Sequence, residues 1–146
     1  MGNIVDYIKE YGKFSLEDRP FNEVDSLIMS QFSYLKFDTL IESLPDNEKI
    51  LDVTGMRDNI HYNDLFLDER YEKVNRELYE AMADSVRFSK VRLYDYVNII
   101  DAMWEIQFSA VTFVFENGFI YVAFRGTDDS LVGWKEDFDM AFIILT

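Results

Sequence analysis

Two apolar runs, 108–115 and 119–124, flank the triplet Glu116-Asn117-Gly118, and this arrangement constrains the chain more than any other feature. Asn-Gly between apolar segments signals a β-hairpin, because both residues tolerate the positive φ that a tight reversal demands. The first run is apolar on both faces of a strand. Val111, Phe113 and Phe115 share one face, and Ala110, Thr112 and Val114 share the other. A strand of that kind belongs in the centre of a sheet covered by helices on each side. Residues 91–97 read as a further short strand.

Helical spacing dominates the first half. Ile4, Tyr7, Ile8 and Tyr11 recur at helical intervals, with Asn3 as N-cap and Gly12 as stop. Pro20 breaks the chain, Asn22 caps a second helix, and Asp25 complements its N-terminus. Val24, Leu27, Ile28, Gln31 and Leu35 define its inward face, so it should run to about Tyr34. Leu44-Pro45-Asp46-Asn47 is a turn. Residues 51–63 hold Gly55, Asn59 and Asn63 without a clean period and read as loop. In a third helix, capped by Asp64, Leu67, Tyr71, Val74, Leu78 and Met82 form the expected buried stripe. Glu69 with Lys73, and Glu72 with Arg76, are favourable pairs on its solvated face. Residues 134–142 read as a last helix, with Trp134, Phe138 and Ala141 on one side. Helices followed by strands apolar on both faces predict an α/β layered fold. One domain should span 1–146: helical over 1–83, strands and a polar loop over 86–127, then helix 134–142. There is no internal repeat, linker or low-complexity tract.

Composition narrows the function. Asp and Glu number 28 against 14 Lys and Arg, a formal charge of -14. That balance repels phosphate backbones and argues against nucleic-acid binding. It also disfavours electrostatic attachment to anionic lipid. With 49% hydrophobic residues, the chain is not intrinsically disordered despite its charge. Cysteine is absent, which removes disulfides, thiolate metal sites and a Cys nucleophile, and the one histidine is His61. No segment approaches the run of about 20 apolar residues that a membrane helix needs. The N-terminus carries acids and Lys9 and no small-residue cleavage site, so no signal peptide is expected and a cytoplasmic location is the default. Met1-Gly2 is no myristoylation signal, because Asp6 stands where Ser or Thr belongs. No cofactor is expected.

The chemistry concentrates after the hairpin. Arg125-Gly126-Thr127-Asp128-Asp129-Ser130 ends an apolar strand in a polar loop, and Trp134-Lys135-Glu136-Asp137 follows. Loops at the carboxyl ends of sheet strands are where α/β proteins build sites. An apolar strand, Phe-Arg-Gly-Thr, a short spacer and Trp-x-x-Asp together resemble the strand, oxyanion loop and following helix of class-three (fungal-type) lipases, which are α/β-hydrolases. The chain resembles more closely the N-terminal part of an uncharacterised bacterial lipase-like branch, in which Asn22 to Asp25 and Gln107 to Phe113 also have counterparts. The resemblance implies an incomplete α/β-hydrolase-like sheet with N-terminal helices and a central β-hairpin. It makes Thr127 the oxyanion donor, through its amide and hydroxyl, and Gly126 the residue that lets backbone approach substrate. It makes Trp134 part of a lid over 130–138, and pairs Arg125 with Asp137 to brace the loop. It implies a small acyl-ester or lipid substrate.

The family also needs Gly-x-Ser-x-Gly, then an acid, then histidine. None of Gly2, Gly12, Gly55, Gly118, Gly126 and Gly133 begins that motif, and His61 precedes the oxyanion strand, in the wrong order to be the base. The expectation is half a site: an oxyanion donor without nucleophile or base, belonging to a longer serine hydrolase and inactive alone. The rival expectation is a non-catalytic lipase-like binding or interaction module. The apolar run 141–145 should leave an uncovered C-terminal edge that self-associates.

Plainer readings stand beside these. Gly126 to Asp129 also suits a turn that caps the next helix. Arg125 with Asp137 suits a structural ion pair, Trp134 a core anchor, and His61 an ordinary loop histidine. Asp128, Ser130 and Gly133 fall on EF-hand positions, but Val132 and Asp139 stand where a further ligand and a bidentate Glu belong, which argues against calcium. Nothing singles out a carboxylate pair for glycoside hydrolysis.

Overall fold

The computed structural model describes residues 3–46, 50–101, 106–126 and 141–144. Helices α1 (Ile4–Tyr11), α2 (Glu23–Phe32) and α3 (Asp38–Glu42) come first. Strand β1 (Leu51–Asp52), helix α4 (Val53–Met56), a 3-10 turn (Tyr62–Phe66) and helix α5 (Glu72–Ala83) follow. The chain then forms β2 (Arg92–Asp101), β3 (Ile106–Val114), β4 (Ile120–Gly126) and β5 (Ala141–Ile144). The strands make one sheet in the order β1-β2-β3-β4-β5, and every neighbouring pair is antiparallel. Mixed helices and an antiparallel sheet are thus the observed class.

Local signals account for the first two helices. The Asn3 side chain accepts from the Asp6 amide while Asp6 accepts from the Asn3 amide, and Asn22 and Asp25 repeat that reciprocal cap on α2. Helix α2 ends at Phe32, two residues before the expected Tyr34. Its buried residues are Asp25, Ile28, Met29 and Phe32, whereas Leu27, expected inside, is 61% exposed.

Helix α5 departs further from expectation. It starts at Glu72, and Asp64 lies in the 3-10 turn instead of capping the helix. Leu67, Tyr71 and Val74, expected inside, are exposed; Asn75, Leu78, Tyr79, Met82 and Ala83 are buried. Tyr79 sets this phase, because its ring is fully buried and its hydroxyl donates to the Val53 carbonyl. Glu69 precedes the helix, and of the two expected pairs Glu72 with Arg76 forms, Nε to Oε1 at 3.2 Å. Residues 51–63, expected to be loop, hold β1 and α4. The Asp52 side chain caps α4 by accepting from the Gly55 amide at 2.7 Å.

The hairpin forms where the sequence places it. Gly118 takes φ +88°, its amide donates to the Phe115 carbonyl, and Phe115 and Phe119 close the loop. One face of the sheet carries the core. Leu93, Val111, Phe113, Tyr121 and Ala123 are buried there, with Phe32 and Phe37 packed on Phe113. On the opposite face Ala110, Thr112, Val114, Ile120, Val122 and Phe124 are only half-buried, so the expected two-sided burial is met in full on one side. The helix expected over 134–142 is overturned at its end: Ala141 and Phe142 belong to β5 and pair with Ala123 and Val122. Residues 134–140 lie outside the described residues.

A charge pair ties the helices together. Arg87 and Asp25 have no exposed side-chain surface, and Arg87 Nε meets Asp25 Oδ1 at 2.8 Å. The guanidinium also donates to the carbonyls of Phe14, Ser15, Arg19 and Pro20. Tyr7 Oη donates to Asp25 Oδ1, and Asn22 Nδ2 donates to Tyr7 Oη. Removing one member of a buried pair strands the other, at about 3–5 kcal/mol. Urea denaturation should show Arg87→Ala losing about that much. Arg57→Ala, which breaks the exposed pair to Asp84, should cost no more than about 1 kcal/mol.

Candidate active site

Strand β4 carries the first two residues of the expected site and lies between β3 and β5. Ile120 to Ala123 are paired on both edges, to Val114–Val111 on one side and Ile144–Ala141 on the other. Phe124, Arg125 and Gly126 continue past the Ala123–Ala141 pair and remain bonded to β3, with Gly126 opposite Phe108. The Arg125-Gly126 step therefore sits at the end of a strand anchored inside the sheet, and Thr127 is the next residue in the chain.

The other end of β4 is clamped to the helices. Tyr121 is fully buried, and its hydroxyl donates to the Ser26 carbonyl at 2.9 Å and lies 3.2 Å from Ser26 Oγ. Phe21 stacks on Phe119 at 4.5 Å and meets Phe115 edge-on at 5.8 Å. These aromatic contacts fix the strand against the segment entering α2.

Of the expected site residues, Arg125 and Gly126 are placed, as backbone in β4. Thr127, Trp134 and Asp137 lie outside the described residues, as do the acids of the calcium reading. His61 stands well before β4 in the chain, and its Nδ1 lies 3.1 Å from Asp64 Oδ2 in the 3-10 turn region, as for a loop histidine with a local partner. Among the described residues no group of three or more His, Asp or Glu could hold a metal ion. Sequence reasoning missed the Asp25–Arg87 pair. Asp25 complements the N-terminus of α2, as its spacing predicts, but nothing local marks Arg87 as its partner.

A family model described as Mbeg1-like matches residues 82–144, under half of the chain. The match runs from the end of α5 through β5 and takes in the whole strand-and-loop segment. No curated protein matches the chain, and no solved structure does.

Burial pushes the phenols of Tyr79 and Tyr121 above the ordinary 10.0. Both are neutral donors to backbone carbonyls in the fold. Their folded-state pKa values exceed the unfolded one, so their contribution to stability is complete below about pH 10 and is lost as the pH rises beyond it. Urea midpoints should hold up to about pH 9 and fall above about pH 10. The fall should be shallower in Tyr79→Phe and Tyr121→Phe, which have no phenol to ionise.

Proposed function

We propose that this chain is the N-terminal portion of a lipase-like serine hydrolase acting on an ester or lipid acyl bond. The observation that carries the reading is the position of Gly126, at the end of a strand bonded on both sides, immediately before Thr127. An oxyanion donor must be held rigidly where charge develops, and a preorganised donor of this kind is worth about 3 kcal/mol of transition-state stabilisation. In this reading Thr127 supplies the amide and hydroxyl, Gly126 clears the approach, Arg125 with Asp137 braces the loop, and Trp134 belongs to the lid. The Mbeg1-like match over 82–144 covers all five positions. The nucleophile and base come from outside this sequence.

The purified 146-residue chain should hydrolyse p-nitrophenyl esters no faster than buffer does. A Thr127-dependent rate above background would overturn the half-site. The reading frame past Thr146 should carry Gly-x-Ser-x-Gly within roughly fifty residues, then Asp and His. In the protein it encodes, Thr127→Val should lower kcat about 10²–10³-fold.

A non-catalytic interaction module is the second reading, favoured by the half-buried apolar face of β3 and β4. An extended reading frame without the serine elbow would select it. Among the described residues β5 is the last strand of the sheet, and its sequence Ala-Phe-Ile-Ile has no charge to deter pairing. Light scattering should therefore find self-association that grows with concentration; a clean monomer at high concentration would refute it.

A further inference from the structure

Helical spacing predicts that Leu27, Leu67, Tyr71 and Val74 face inward, and the fold leaves all four in solvent, at 61%, 63%, 49% and 52% exposure. Tyr34 joins them at 40%. Two hydrogen bonds bring their segments together. Gln31 Nε2 donates to Asn75 Oδ1 at 3.1 Å, and the Lys36 amide donates to the Leu65 carbonyl at 3.1 Å. Leu27 lies one helical turn before Gln31, and Tyr34 lies between Gln31 and Lys36. Tyr71 lies one turn before Asn75, with Val74 next to it, and Leu67 follows Leu65 closely. Five of the nine large apolar residues exposed among the described residues therefore line one seam. Apolar residues exposed singly are ordinary, but a contiguous patch marks an interaction surface. None of the five belongs to β5 or to the strand end at Gly126.

Charge selects the occupant. The chain carries a formal charge of -14, so most of its surface repels a second copy. The seam is the exception. With Asp25 sealed against Arg87, residues 23–36 and 67–76 hold four acids and four bases. Glu23 opens α2, and Lys36 stands four residues past its end. Both are exposed, and neither lies in an ion pair among the described residues. A two-fold axis across the seam runs α2 antiparallel to its copy and brings Glu23 of each chain to Lys36 of the other. Apolar side chains then meet at the centre and opposite charges at both rims.

We propose that this seam joins two copies of the chain in an isologous dimer, with Leu27, Tyr71 and Val74 at its centre and Glu23–Lys36 contacts at its ends. The dimer is independent of the hydrolase reading.

The test is sedimentation equilibrium of the full chain and its variants at fixed ionic strength. Leu27→Glu should weaken the dimer at least about tenfold. Ile60→Glu adds the same charge at a position 89% exposed and off the seam, and should leave the dimer unchanged. Glu23→Lys and Lys36→Glu should each weaken it about threefold or more, and the double variant should regain the original affinity. A wild-type chain that stays monomeric would overturn the proposal. So would association that survives Leu27→Glu undiminished, which would belong to the β5 edge. A gain of affinity in Glu23→Lys would mean diffuse relief of net charge and would overturn it too. Every substituted side chain is exposed, and rescue in the double variant excludes misfolding as the cause of the single losses.

Discussion

The arrangement of the helices depends on a charge pair sealed from water. Asp25 and Arg87 are 62 positions apart and share one dry site. Taking a carboxylate and a guanidinium out of water costs several kcal/mol each, and only complete hydrogen bonding offsets it. Here the bonding is dense. Arg87 binds both carboxylate oxygens and four carbonyls between Phe14 and Pro20, so the connection between α1 and α2 is wrapped around a single guanidinium. Asp25 does double service, because the oxygen that caps the Asn22 amide also meets Arg87. The start of α2, the middle of α1 through Tyr7 and the segment after α5 are fixed by one group of atoms.

That fixation reaches the sheet. Pro20 is one of the carbonyls held by Arg87, and Phe21 beside it stacks on Phe119 and lies 5.7 Å from Tyr121. Ser26, one position after Asp25, receives the Tyr121 hydroxyl. The strand leading to Arg125-Gly126 thus starts from a rigid base, although its site end lies at the opposite extremity. The oxyanion loop proposed to follow it would need such a base, since misplacement by an ångström is enough to lose most of an oriented interaction.

What the sequence revealed follows the range of the interaction responsible. The caps at Asn3 and Asn22 and the reversal at Gly118 act within three residues, and each lies where its motif predicts. Helix α4 and strand β1 are too short to show a period, and Asp52, the residue that makes α4 possible, looks like any loop acid. The phase of α5 was legible only up to a choice. Tyr71 and Tyr79 are both apolar enough to face inward, and the contact of Tyr79 with Val53 decides between them. The recurrence of Trp134, Phe138 and Ala141 at helical intervals predicts helix through 142, whereas the partner that makes Ala141 and Phe142 extended is β4. Of the site, the strand end at Arg125-Gly126 was legible because a polar Gly-containing loop after an apolar run is a local signal. Thr127, Trp134 and Asp137 rest on resemblance.

One oxyanion donor cannot make an enzyme. Its worth, about 3–4 kcal/mol, is a fraction of the 8–23 kcal/mol by which enzymes lower their barriers. The remainder needs a nucleophile, a base to activate it and a third group to orient the base. Without them an oxyanion loop, as proposed after Gly126, would have nothing to attack the carbonyl carbon. A hydrolase half and a binding module therefore ask the same thing of β4, a donor fixed at a strand end. They differ in whether a serine on another strand faces it. The antiparallel meander holds the strand end at Gly126, and it is neutral toward the presence of such a serine.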